Sequence, residues 1–334
     1  MAPIQLPNAI SIHALAASLL SSPCFFILKT ETESYSGGEY LVYPLESTCG
    51  RRICIRIPKE THQHTGFQLE RETNIRRRID AAGIDLFQPL IAADPTADNS
   101  LHMPFMALGW ADGATLKWSD SNPASEDERR RYISGVANAT LDLLRIQEAG
   151  KTASDWIKAK INRKIARAKA GTLPGGTVAE CQQQMQLVQK YWIPELDDAP
   201  HILVHGDLSS NNVIVDDYCN VKGIIDLGWA ELVPLQFAAV YPRFLTHEPS
   251  ESDGLDWTAR DTKQMEQDRA FYLECIRTRA NQEGGILLDY LRVISRQDEV
   301  SRYWWLTAAS RIDIHRAMAS CEWDPPIGRN RSMN

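Results

Sequence analysis

Several signatures are missing from this sequence, and each absence removes a class of function. The most apolar N-terminal stretch, Ala9 to Leu20, is too short to span a bilayer and is interrupted by Ser11, His13 and Ser18. It has no positively charged start, since the first lysine is Lys29, so a secretory leader and a membrane span are not expected and a cytoplasmic location is. The seven cysteines are odd in number and scattered, with no C-x-x-C or Cys/His spacing, which excludes a zinc framework and predicts reduced thiols. No basic excess exists either. A net charge of -7 gives phosphate backbones nothing to bind, so nucleic acid is not an expected partner. Internal repeats and low-complexity tracts are also lacking.

What is present is an ordinary globular composition, 43% hydrophobic and 24% charged, in a chain of 334 residues. That length exceeds what a single growing core accommodates and predicts two lobes. Over the first hundred residues the texture is that of strands. Cys24 to Thr30, Glu39 to Leu45 and Ile53 to Ile57 alternate or are β-branched, and Pro58 stops the last, which predicts a three-stranded antiparallel sheet. Between the first two strands, Ser34 to Gly38 forms a turn that draws on the φ freedom of Gly37 and Gly38. A charged helix is predicted from Thr65 to Ala82, ending at Gly83, and a further strand from Met103 to Trp110.

Beyond that point helices dominate. Ser125 with Glu128 makes a capping box for a helix whose apolar spacing reaches towards Gly150. A basic helix, read as a solvated face, starts at Ser154, and Thr177 with Glu180 caps a third that runs to about Trp192. From Asp261 to about Glu322 the pattern is again helical, with a break at Gly284-Gly285. The expected division is therefore 1–110 as a small β-rich lobe and 111–334 as a large helical lobe.

The most informative segment is His201 to Ala230. Two apolar runs, Val213 to Val215 and Val221 to Ile225, flank a polar turn at Asp216 to Asn220 and predict a hairpin. Asp207 and Asn212 precede the first run and Asp226 follows the second, so antiparallel pairing collects all three at one end. Phosphoryl transfer uses such a set. One or two hard oxygen donors anchor Mg²⁺, a task for Asn212 and Asp226. A third carboxylate, Asp207, kept off the metal, can orient an acceptor hydroxyl and take its proton.

The string His-Gly-Asp-Leu-Ser-Ser-Asn-Asn (205–212), followed by Ile-Asp-Leu-Gly-Trp-Ala (225–230), resembles the aminoglycoside phosphotransferase and choline kinase-like superfamily, and the continuation Glu-Leu-Val-Pro-Leu-Gln-Phe-Ala-Ala (231–239) and Tyr-Pro-Arg-Phe-Leu (241–245) resembles its fungal-type members. The resemblance covers about residues 34 to 245 and is specific between 201 and 230. It implies an α+β, bilobal protein-kinase-like fold that uses ATP and Mg²⁺ to phosphorylate a hydroxyl group. It also implies Asp207 as catalytic base, His205 as the residue holding the catalytic loop, and Asn212 with Asp226 as magnesium ligands. For the nucleotide it implies Gly37 and Gly38 over the phosphates and Arg56 as the basic strand residue, with Glu72 as its partner and Glu70 as the alternative. Met106, Leu108 and Trp110 would belong to the lobe linker lining the adenine site. Arg56 departs from the usual lysine, and the two are not interchangeable. No Ala-Pro-Glu-like segment follows Asp226, which argues against a protein acceptor.

The implied acceptor is a small hydroxylated molecule, such as an amino sugar, an amino alcohol or a secondary metabolite, with no protein partner. Between Glu248 and Glu274 eight acidic side chains face three basic ones, a lip suited to a cationic acceptor. Trp229, Trp257, Trp304 and Trp305 are candidates to hold a quaternary ammonium group. A nucleotide-binding regulatory module without turnover is the alternative reading, prompted by Arg56.

Overall fold

A computed structural model describes residues 8–28, 34–119, 123–173, 177–246 and 262–296. It opens with helix α1 (Ala9–Leu20), where an isolated apolar stretch was the sequence expectation. The Asn8 side chain accepts from the Ile10 N–H and starts it, and Ile12, Ala16 and Leu20, one turn apart, are its buried stripe. Strands β1 (Cys24–Phe26), β2 (Tyr35–Ser36), β3 (Tyr40–Ser47) and β4 (Arg52–Pro58) follow, then α2 (Thr65–Ala81), β5 (Leu90–Asp94), β6 (Phe105–Gly109) and β7 (Ala114–Thr115).

The expected three-stranded sheet is a six-stranded one, ordered β1-β3-β4-β6-β5 with β2 alongside β3. Strand β4 is central because every residue from Ile53 to Pro58 is buried, as a strand covered on both faces requires. One face carries Leu45, Ile53, Ile55 and Ile57 into a cluster with the α1 stripe. On the opposite side Cys54 packs with Leu69 of α2 and with Met106 and Leu108 of β6.

Next come α3 (Glu126–Leu143), β8 (Gln147–Glu148), α4 (Ala153–Lys169), α5 (Val178–Tyr191) and β9 (His201–Val204). The capping boxes at Ser125 and Thr177 both form. Helix α3 ends at Leu143, before the Gly150 expected from its spacing. A turn at Leu144–Ile146 diverts the chain, and Gln147 and Glu148 then pair with Ile202 and His201. The basic helix α4 is not wholly solvated, since Lys164 is buried and donates to Gln184 of α5 at 2.9 Å.

The chain continues through β10 (Val213–Val215), β11 (Val221–Ile224), β12 (Glu231–Pro234), α6 (Leu235–Ala238), α7 (Lys263–Glu283) and α8 (Ile286–Ile294). Gly284 and Gly285, with φ of 69° and 58°, make the predicted break between the last two helices. The predicted continuation from 297 to Glu322 lies outside the described residues.

Backbone contacts group the chain into two compact units. One holds the residues up to Leu116 together with His205–Asp207 and Asn211–Glu231. The other holds Lys117–Val204, Leu208–Ser210 and the residues from Leu232 on. The sequence division at 110 followed the chain, whereas contacts assign the 205–207 and 211–231 segments to the β-rich unit. No helix among the described residues is long and apolar enough to cross a membrane.

Candidate active site

The hairpin forms as its sequence predicts. Val213 pairs with Ile224 and Ile214 with Gly223, and the Asp216 side chain closes the turn by accepting from the Tyr218 and Asn220 N–H groups. At the open end the Ile225 N–H donates to the Asn212 carbonyl at 2.9 Å, which ties the residue before Asp226 to Asn212. The Asn212 amide nitrogen donates to the Asp207 carbonyl at 2.8 Å and approaches its carboxylate at 3.4 Å. With the nitrogen committed to Asp207, the amide oxygen is the group Asn212 offers to a cation.

His205 joins the two strands of this constellation. Its Nδ1 accepts from the Asp207 N–H at 3.3 Å, so Nε2 carries the proton and donates to the Ile225 carbonyl at 2.8 Å. Burial pushes its pKa down, which keeps the ring neutral and the two roles distinct. His205 thereby links the Asp207 and Ile225 backbones. The next residue, Gly206, sits at φ 78°, and a Cβ there would lie 2.0 Å from the Trp229 carbonyl oxygen. Only glycine allows the two segments to approach so closely.

Asp226 adopts φ 63°, a left-handed conformation that costs a non-glycine residue free energy. One oxygen accepts from the Gly228 N–H at 3.4 Å, and the Arg56 guanidinium approaches the same oxygen at 3.4 Å. Arg56, 7% exposed on β4, also donates to Glu72 at 2.7 Å and lies 4.3 Å from the centre of the Tyr40 ring. Glu72 is 3% exposed, whereas Glu70 faces solvent, so of the two acids weighed from the sequence Glu72 is the one that meets Arg56.

Sequence reasoning missed a second guanidinium. Arg76, fully buried one helical turn after Glu72, gives the same Glu72 oxygen two bonds of 2.9 and 2.7 Å and donates to the Gln88 carbonyl at 2.9 Å. Its i,i+4 spacing from Glu72 was the available signal. Burial works against both cations. At Arg56 the Glu72 and Asp226 carboxylates outweigh it and hold the pKa above the ordinary arginine value; at Arg76 burial and the Arg56 charge bring it below. Glu72 too is opposed by burial, yet Arg56 and Arg76 hold its carboxyl below the ordinary range. Arg71 was also missed. It donates to the Gly228 carbonyl at 3.1 Å and to the Ala230 carbonyl at 3.2 Å, clamping the chain after Asp226.

Three expectations need correction. Gly37 and Gly38 form the turn without entering the left-handed region, because Gly37 N–H closes it onto the Tyr40 carbonyl at 3.0 Å with ordinary backbone angles. The turn also carries a cation not foreseen: the Lys59 ammonium donates to the Gly37 carbonyl. Met106 and Leu108 are not linker residues. They lie in β6, bonded to β4 on one side and β5 on the other, with buried side chains, because apolar residues that fit the core take a strand there. The connector starts at Trp110, whose ring stacks on Tyr35 at 6.0 Å. Of the acidic lip, Asp268 is buried against Arg129 on α3, as its apolar neighbours on α7 dictate, and Glu248 to Asp261 lie outside the described residues. Trp257, Trp304 and Trp305 lie outside them too.

An amide oxygen and a half-exposed carboxylate, set beside a buried guanidinium, are the donors that a magnesium nucleotide complex takes: hard oxygens for the ion and a fork for phosphate. Residues 36–237, more than half of the chain, match the profile described as "Phosphotransferase enzyme family". The chain belongs to that family. No curated protein matches this phosphotransferase. Among solved structures, it is similar to the streptomycin–ATP–APH(2")-IIa ternary complex, with 12% identity, a TM-score of 0.55 and coverage of 96% of this chain and 98% of that one. A candidate aminoglycoside phosphotransferase from Ralstonia eutropha JMP134 is similar at 16% identity and a TM-score of 0.55, over 94% and 99% of the two chains. At such identities the likeness carries the fold, which is the α+β, bilobal protein-kinase-like one, with a small β-rich and a large helical lobe.

Proposed function

We propose that this phosphotransferase moves the γ-phosphoryl group of ATP onto the hydroxyl of a small molecule. The observation that supports this best is the convergence of Asp207, Asn212 and Asp226 at one end of a hairpin, beside an Arg56–Glu72 pair brought in by β4 and α2. In this reading Asn212 and Asp226 hold Mg²⁺. When bound, the ion offsets charge on the phosphates and supplies electrostatic stabilisation as charge shifts to the leaving oxygen.

The chain's own groups do the rest. Asp207, oriented by Asn212 and by the neutral His205, accepts the proton of the acceptor hydroxyl, whose oxygen attacks the γ-phosphorus as ADP departs. Arg56 steadies the nucleotide phosphates with the fork of its guanidinium, and Gly37 and Gly38 cover them from the β2–β3 turn, to which Lys59 is bonded from the end of β4. Trp110 contacts the base at the start of the connector. The similar structure that contains both ATP and streptomycin lends support to a nucleotide and a small-molecule acceptor, and a cytoplasmic setting supplies both. An intact Asp207, Asn212 and Asp226 set favours turnover over a regulatory module.

The test is a coupled ADP-release screen with Mg²⁺ and ATP over amino alcohols, amino sugars and hydroxylated secondary metabolites. Acceptor-stimulated ADP release should fall about 100-fold or more in Asp207→Asn and in Asp226→Ala. Retention of full turnover by both variants would refute the reading.

A further inference from the structure

Two thiols meet where the chain enters β1 and the turn between β3 and β4 folds against it. Cys24 lies directly opposite Ser47 of β3, so the two side chains share one face of the sheet, with Cβ atoms about 4.5–5.5 Å apart. The Ser47 hydroxyl in turn touches the Cys49 sulfur at 3.1 Å. Ahead of β1, the Pro23 carbonyl accepts from the Thr48 N–H at 2.9 Å, and the Ser22 and Thr48 hydroxyls are 2.9 Å apart. The turn that carries Cys49 is therefore fastened to the residues that lead into Cys24. Ser22 serves both sulfurs: its carbonyl accepts from the Cys24 thiol at 3.3 Å, and its hydroxyl bonds to Cys49. The two environments differ sharply, since Cys24 is 5% exposed whereas Thr48, Cys49 and Gly50 all face solvent.

We propose that Cys49 is the site at which a hydroperoxide oxidises this protein, and that Cys24 resolves the product as a disulfide. The Cys49 thiolate attacks one peroxide oxygen, the O–O bond breaks with departure of hydroxide or alkoxide, and the sulfur, oxidised by two electrons, becomes a sulfenic acid. Cys24 then gives up its proton and attacks that sulfur; the S–O bond breaks, the hydroxide takes the proton and leaves as water, and the S–S bond remains. Hydrogen bonding sets this order. The Arg51 carbonyl already accepts from the Ser47 N–H at 2.8 Å, so the Ser47 hydroxyl can turn its proton to the Cys49 sulfur without stranding that carbonyl. Donation from Ser47 and from the Arg51 backbone holds the Cys49 pKa below the ordinary thiol value. Burial, and after it the nearby Cys49 charge, pushes the Cys24 pKa up, which suits a thiol that reacts only once a sulfenic acid stands beside it. A disulfide requires Cα atoms within about 6.8 Å, and the exposed turn from Thr48 to Gly50 can make the adjustment without repacking the core.

The experiment oxidises the reduced whole chain with hydrogen peroxide and maps its peptides by mass spectrometry without reduction, beside Cys49→Ser and Cys24→Ser, with a melting curve of each as the check of folding. A linked Cys24–Cys49 peptide, two hydrogens lighter than its two parts, should form in the wild type, and dithiothreitol should return it to free thiols. In Cys24→Ser the oxidised Cys49 lacks its resolving partner and should be captured by dimedone, a reagent for sulfenic acids. Cys49→Ser should slow the oxidation of Cys24 about tenfold or more, because the buried thiol no longer has an activated sulfur to attack. Cys24 remaining free while Cys49 proceeds to sulfinic acid, or a bond from Cys49 to another cysteine or to a second copy of the chain, would overturn the inference. So would Cys24 oxidising as fast in Cys49→Ser as in the wild type. Neither sulfur belongs to the candidate active site, so the outcome is independent of the phosphotransferase reading.

Discussion

Arg56 and Asp226 are 170 positions apart in the chain and 3.4 Å apart in space, and this contact joins the central strand of the β-rich unit to the segment that follows the hairpin. One partner is buried and the other is half-exposed, with 47% of the Asp226 side chain accessible, so the pair can exchange partners without unfolding anything. Arg56→Lys should keep the charge but lose the fork that spans Glu72 and Asp226. An increase of about tenfold in KM for ATP, with a smaller change in kcat, is the expected outcome in steady-state kinetics.

Glu72 is the shared anion of Arg56 and Arg76, so its removal should cost more than that of either cation. Arg56→Met leaves Glu72 with Arg76, and its cost should stay below the roughly 3–5 kcal/mol of an orphaned buried charge. Glu72→Ala leaves two guanidiniums facing each other and should reach or exceed that range. Urea unfolding of the two variants checks the order.

The same carboxyl makes stability pH-dependent. Arg56 and Arg76 hold its folded pKa below the ordinary range despite burial. Its contribution is therefore complete above the unfolded value of about 4.3 and is lost as pH falls through the lower folded value. Glu72→Gln should flatten this part of the acid limb in melting curves recorded from about pH 6 to pH 3.

Lys164 should act in the opposite pH range. Burial lowers its pKa from 10.5 to about 8. Between those values the unfolded chain binds the proton that the folded chain does not, so stability rises with pH over that window. Lys164→Met should abolish this rise, whatever its absolute stability, and thermal melts from about pH 7 to pH 10 would show it.

Gly206→Ala combines a left-handed φ with a clash against the Trp229 carbonyl, and the loop must shift to admit the methyl group. Displacing Asp207 by about 1 Å is enough to lower kcat about 100-fold. Nucleotide binding, measured by thermal shift, should change far less, since no nucleotide contact depends on residue 206.

Much of this was legible from local pattern. The hairpin, both capping boxes, the Gly284-Gly285 break and the helix after Thr65 follow from alternation, turn chemistry and caps, which act over a few residues and so are written in neighbouring positions. The gathering of Asn212 with Asp207 and the approach of residue 225 are the geometric consequence of that hairpin. The strand expected over Met103 to Trp110 forms as β6, Phe105–Gly109, and only its interior place, paired with β4 on one side and β5 on the other, was not legible, because those partners are remote in sequence. Helix α1 was passed over because its stripe has meaning only once a sheet exists to receive it.

By itself the sequence determined the order of the chemistry-bearing residues, the turn that collects them and the two-lobed α+β class, because these depend on short-range sterics and hydrophobic period. Tertiary structure alone decided that Glu72 rather than Glu70 meets Arg56 and that Gly206 presses against Trp229. Those outcomes depend on which buried charges can be compensated and which backbones can touch between segments that are not sequence neighbours, and no local rule carries that information.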